Sequence, residues 1–80
     1  MNAQLLVVTQ TVLENFSNTD LAALNTQVGF YGNMAKGCPG YAQAFETGLI
    51  KESGEPADLD TLREACRLEV VRRDEAGTFQ

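Results

Sequence analysis

The 80-residue chain has no histidine and no tryptophan, only two cysteines and two prolines, and six basic residues against eleven acidic ones. Each shortage excludes something. Without histidine the commonest general base is gone, and with it the Ser/His and Cys/His nucleophile systems and the most versatile metal ligand. Cys38 and Cys66 stand 28 positions apart and do not make a structural zinc site, which takes four N or S ligands. They allow one disulfide at most, whereas a secreted scaffold of this size usually carries four or more cysteines. Two reduced thiols and a cytoplasmic protein are the expectation, with a Cys38–Cys66 bridge left open if the second and fourth helices pack closely. The longest apolar run, Leu5-Leu6-Val7-Val8, falls far short of the ~20 residues that cross a bilayer. The start lacks a basic segment and Thr9-Gln10-Thr11 interrupts its hydrophobic stretch, so no secretory signal is expected.

The net charge of −5 argues against nucleic acid as a direct partner, because phosphates are neutralised by a basic face. Only Arg63, Arg67, Arg72 and Arg73 cluster, and Glu64, Glu69, Asp74 and Glu75 sit among them. Phosphate-loop chemistry is absent. Gly37-Cys38-Pro39-Gly40 is too short and no Lys-Ser follows it. Asp58 and Asp60 have the first spacing of a calcium loop, but its glycine and distant glutamate are out of register. Cys38 next to a helix start has no histidine to partner it. The carboxylates read as helix starts and solvated faces. No catalytic, cofactor-binding or metal residue is named, and the chain is not expected to be an enzyme.

What is present is helical patterning. Leu, Ile, Val and Phe number 20, above the poverty of a disordered chain but a thin supply for a core. Four helices are expected in one domain over residues 1–80. The first spans about 4–16, with Leu5, Val8, Val12 and Phe16 on its inner stripe and Leu6 and Leu13 beside it. Its β-branched residues make a strand the rival reading. Ser17-Asn18-Thr19-Asp20 is a helix-start cluster in which Asn18 or Thr19 caps. The second helix then covers about 20–36, with Leu21, Leu24, Val28, Tyr31 and Ala35 inward and a break expected near Gly29–Asn33. A third covers about 40–52, with Tyr41, Ala44, Phe45, Gly48 and Leu49 inward. The fourth covers about 57–75, with Leu59, Leu62, Cys66 and Val70 inward. Asp58 and Asp60 at its start and Arg72 and Arg73 near its end follow the helix dipole, and Glu69 precedes Arg73 by four residues in the better orientation. The tail Thr78-Phe79-Gln80 is expected to fray. The fold class is all-α, a compact four-helix arrangement resembling a bundle.

Two surfaces carry the functional expectation. Phe30 and Met34 on the second helix, Ile50 on the third, and Leu68 and Val71 on the fourth point away from the inner stripes and are candidates for an apolar protein interface. Glu46, Glu52, Glu55, Asp58, Asp60 and Glu64, against Lys51 and Arg63, place a net −4 on residues 46–64, a patch suited to a basic partner surface. A non-enzymatic protein–protein interaction module follows, a small inhibitor or adaptor. In size, charge and helix content the chain resembles the compact acidic helical proteins that phages and mobile elements use to block host enzymes, anti-CRISPR proteins and nucleic-acid mimics among them. That resemblance implies a nucleic-acid-binding host protein as the target, and no family motif carries it. Two alternatives stand beside it. One is a homo-oligomeric assembly subunit. The other is a helix-turn-helix regulator reading DNA from Tyr41-Ala42-Gln43-Ala44-Phe45-Glu46-Thr47, where Gln43 is the base reader.

Overall fold

The three- and four-residue spacings are realised as α1 (Ala3–Leu13), α2 (Asn18–Tyr31), α3 (Tyr41–Glu46) and α4 (Leu59–Glu75). The computed structural model describes residues 2–79. The chain is all-α; among the described residues no strand forms, and a single antiparallel bridge joins Ile50 to Pro56. Capping side chains set the helix starts. Asn2 Oδ1 accepts from Gln4 and Leu5 N–H, Ser17 Oγ from Asp20 N–H, and Asp58 Oδ1 from Thr61 N–H. The cap of α2 is thus Ser17, and Asn18, an expected cap, is the first helical residue.

The 17-residue α4 is the hub. α1 runs parallel to it: Leu5 and Thr9 lie beside Thr61 and Leu62 at one end, and the Leu13 carbonyl accepts from Arg73 at the other. α2 runs antiparallel. Asn18 at its start meets Arg73, while Val28 and Gly29 near its end offer their carbonyls to Arg63 at 3.3 and 3.4 Å. Arg63 therefore serves the negative end of α2. Leu13, Phe16, Leu21, Leu24, Val28, Met34, Ala44, Leu49, Ile50, Leu62, Ala65 and Cys66 form one buried cluster. The Cα radius of gyration, 11.3 Å, is close to the roughly 12 Å expected of a chain this long closed on one core.

The structure corrects several expectations. The inner stripe of α1 lies roughly a quarter turn from the predicted one. Thr9 and Leu13 are buried and Leu6 half-buried, while Leu5 and Val8 are exposed. α1 is apolar on most sides, so spacing did not choose its face; packing of Thr9 and Leu13 on α4 did. α2 stops at Tyr31, with Gly32 in the left-handed conformation at its C-cap (φ 66°), inside the expected break. Tyr31 and Ala35 are consequently not on an inner stripe. α3 has six residues, not thirteen. The Ala44 carbonyl accepts from both Leu49 and Ile50 N–H, so the chain folds back on itself. Phe45 is left exposed. The tail is held as far as Phe79: Thr78 N–H donates to the Arg73 carbonyl, Asn18 Nδ2 donates to the Thr78 carbonyl at 2.6 Å, and Phe79 packs against the core. Gln80 lies outside the described residues.

Between α3 and α4 the chain makes a tight hairpin. Lys51 N–H donates to the Glu55 carbonyl and Ala57 N–H to the Leu49 carbonyl, while Met34 N–H reaches across to the Gly54 carbonyl at 2.9 Å. Gly54 takes φ 92°, and a Cβ there would lie 2.0 Å from the Met34 carbonyl oxygen, so only glycine fits this closure. The Tyr41 hydroxyl donates to the Glu52 carbonyl and pins the hairpin to α3.

Candidate interaction surface

The segment after α2 and the hairpin before α4 bring the predicted residues into view. Met34 is fully buried and Ile50 is 3% exposed, so neither belongs to an outer surface. Both were placed outward by extending their helices past the true ends. Beyond Gly32 and Gly48 the chain turns, and the hairpin closes over Met34. Leu68 is half-buried on α4; Val71 is exposed. Phe30 stands out at 83% exposure, and Tyr31 beside it at 73%. Tyr31 was missed because a helix continued to Lys36 would turn it inward; the glycine after it was the available signal. Leu5, Val7 and Val8 on α1 are likewise exposed and were missed because an apolar helix hides which side is wet.

Of the acidic residues, Glu46, Glu52, Glu55, Asp58 and Asp60 are exposed and Glu64 is half-buried. Two are neutralised locally. Glu64 takes a two-pronged contact from Arg67 at 2.9 and 2.6 Å, and this hydrogen bond lowers its carboxyl pKa against the opposing effect of burial. Glu55 pairs with Lys51 at 3.1 Å. Glu46, Glu52, Asp58 and Asp60 make no ion pair among the described residues. One oxygen of Asp58 caps α4, and its charge remains.

Phe30, Tyr31, Glu52, Asp58 and Asp60 lie toward one end of the molecule. The hairpin holds the backbone of Met34 three residues after Tyr31, Arg63 in the second turn of α4 holds the end of α2, and Asp58 and Asp60 open α4. The opposite end is closed. Arg73 donates to Glu69 at 2.7 Å, to Asn18 Oδ1 at 2.8 Å and to the Leu13 carbonyl at 2.9 Å, tying three helices together.

Neither cysteine is bridged. Cys66 is buried in the core, which pushes its thiol up to about 12; such a group is inert as a nucleophile at neutral pH. Cys38 is half-buried in the loop before α3. Gln43, considered as a base reader, donates its amide to the Asn15 carbonyl at 3.3 Å. Among the described residues no group of three or more His, Cys, Asp or Glu side chains is placed to hold a metal ion, and no helix is long and apolar enough to cross a membrane. A cleft of about 210 Å³ opens between α1, the hairpin and the start of α4, walled by Leu5, Thr9, Leu49, Ala57, Thr61 and Leu62. The chain matches no protein-family model, no curated protein and no solved structure.

Proposed function

We propose that the protein is a non-catalytic interaction module, a small acidic inhibitor or adaptor that binds a basic surface of another protein. One observation carries this reading: Phe30 and Tyr31, 83% and 73% exposed, flank the segment clasped by a hairpin whose Glu52 has no cationic partner among the described residues. Exposed aromatic rings are costly to leave in water and are the side chains that interfaces use as anchors. Their faces attract lysine and arginine, as the neighbouring carboxylates do. A partner surface with basic residues around an apolar centre satisfies both. A target that normally holds nucleic acid has such a surface, and occupying it would block that role.

The test is capture from the native host with immobilised chain, followed by mass spectrometry. The expectation is one dominant partner with a basic face, retained at low salt and released at high salt because exposed charge pairs are screened. Phe30→Ser and the pair Glu52→Lys, Asp60→Lys should each weaken binding by about 2 kcal/mol, with helicity by circular dichroism unchanged. A partner whose retention ignores all three substitutions would rule out this surface.

A further inference from the structure

The cleft of about 210 Å³ between α1 and the start of α4 has an apolar wall of Leu5, Leu49 and Leu62 and a polar one of Thr9, Asp58 and Thr61. A threonine inside a helix commonly gives its hydroxyl to the carbonyl one turn back, as Thr11 does to Val7 at 2.9 Å. Thr9 and Thr61 do not. Thr61 is 2% exposed and its Oγ1 is buried without a hydrogen-bond partner among the described residues. Thr9 is 6% exposed, and its hydroxyl also bonds nothing among the described residues. Two helices thus bring two unused hydroxyls to one cleft. Such groups cost stability, and a ligand that bonds them offsets the cost. We propose that the cleft binds a primary ammonium carried on a short apolar stem.

Volume limits the stem. Drug-sized ligands occupy roughly 300 Å³ or more, while an apolar cavity of about 150 Å³ takes benzene. The cleft therefore suits a body of about six to eight heavy atoms. Charge selects the head. One Asp58 oxygen caps Thr61 N–H at 3.0 Å, and Asp58 makes no ion pair among the described residues. Lys51 on the hairpin is paired with Glu55 at 3.1 Å, and Arg63 is turned to the end of α2. The positive pole of α4 is already met by Asp58 and Asp60, so an anion gains little there and is repelled by both carboxylates. An ammonium donates to the Asp58 carboxylate and to the two hydroxyls, and its stem lies on the leucines. The same chemistry is offered by a free amine and by a lysine side chain of another protein. The site does not depend on the function proposed above.

A nitrogen-15 NMR titration of the full chain at neutral pH tests this with hexylamine, hexanol and hexanoate, which share a stem and differ in head charge. Hexylamine should shift the amides of Thr9, Gly48 and Thr61 and saturate with a dissociation constant on the order of a millimolar. Hexanol should bind about fivefold more weakly and hexanoate not at all. Asp58→Asn keeps a capping oxygen and Thr61→Val keeps the side-chain shape. Each should weaken hexylamine about fivefold, Thr61→Val while raising the urea midpoint; a threonine that only packs would leave affinity unchanged. Nα-acetyl-lysine amide separates the sources. Saturation at the same amides supports a lysine side chain as the occupant, and saturation by hexylamine alone supports a free amine. No saturable shift at the cleft overturns the site, as do shifts confined to Glu46, Glu52 and Glu55 or an affinity indifferent to both substitutions. Hexanol or hexanoate binding as tightly as hexylamine overturns the ammonium.

Discussion

Glu69 and Arg73, one turn apart on α4, are both buried, with Arg73 Nε 2.7 Å from Glu69 Oε2. Two charges inside so small a core are tolerated because nearly every polar atom is used. Glu69 also accepts from Arg72 at 2.9 and 2.6 Å. Arg73 goes on to Asn18 and to the end of α1. The pair is therefore less a surface ornament of α4 than the knot that fixes α1 and the start of α2 against it.

Removing one partner leaves the other charge buried and alone. Glu69→Gln should cost about 3 kcal/mol, read as a lower urea midpoint. A pH dependence accompanies it. The Glu69 carboxyl is held down at about 2, chiefly by the Arg72 hydrogen bond, against burial and with help from Arg73. In the unfolded chain it titrates at its ordinary 4.5. The unfolded state thus takes up the proton first. The stabilisation is complete above about 4.5 and is lost as pH falls toward 2. The wild-type urea midpoint should fall across that window, and Glu69→Gln should remove part of the fall. An identical acid profile in both proteins would contradict the assignment.

Backbone closure at the hairpin gives a sharper contrast. Gly54→Ala places a methyl group against the Met34 carbonyl and strains a φ of 92°, and about 3 kcal/mol or outright unfolding is expected. Gly48 has φ 79° but open space around its missing Cβ, so Gly48→Ala should cost only the left-handed penalty, about 1 kcal/mol. Thermal melts of the two variants separate clash from conformation. Similar losses would mean that the Met34–Gly54 closure is not rigid.

Helix number, the start of α2 and the position of α4 were legible because Leu21, Leu24 and Val28 repeat on one side of α2 after a capping cluster, and Leu62 and Cys66 repeat on one side of α4 while charges fill the other. The facing of α1 was not legible. Leu5, Leu6, Val7, Val8, Val12 and Leu13 offer two apolar stripes, and only the neighbour decides between them. Met34 and Ile50 were misplaced for a related reason: helical projection assumes the helix continues, and both lie beyond a glycine that ends it. The exposure of Glu46, Glu52, Glu55, Asp58 and Asp60 was legible, because charge on a short turn or at a helix start meets water however the turn is drawn. The burial of Glu69 and Arg73 had a faint signal in their four-residue spacing. Nothing local to α4 told it apart from a solvated ion pair, since the partners that bury it come from residues 13 to 18.

The two thiols should behave differently toward a thiol-reactive dye such as DTNB. Cys66 is fully buried and its pKa is raised by that burial, so in native buffer at mildly alkaline pH it should stay unlabelled. Cys38, partly open in its loop, should react. One equivalent is expected from native protein and two after denaturant is added. Two rapid equivalents without denaturant would place Cys66 at the surface and disprove the packing of α4.

Thr61 is the buried hydroxyl with no hydrogen-bond partner among the described residues, and it forms part of the wall of the cleft beside Leu5. An unsatisfied polar atom in the core costs free energy that an apolar group of the same shape does not. Thr61→Val should therefore raise the urea midpoint, by about 1 kcal/mol of stability. A loss of stability instead would mean that the hydroxyl finds a partner in solution.

Met34 and Phe30, only four residues apart, stand in opposite environments and should respond oppositely to truncation. Met34 is fully enclosed by the core and its backbone anchors the hairpin through Gly54. Met34→Ala should open a cavity and cost about 3 kcal/mol. Phe30 has 83% of its surface in water, and losing the ring removes almost no internal contact. Phe30→Ala should change stability by less than about 0.5 kcal/mol while weakening capture of the partner. Equal destabilisation by the two substitutions would show Phe30 folded into the core in solution. The aromatic half of the proposed docking surface would then be gone.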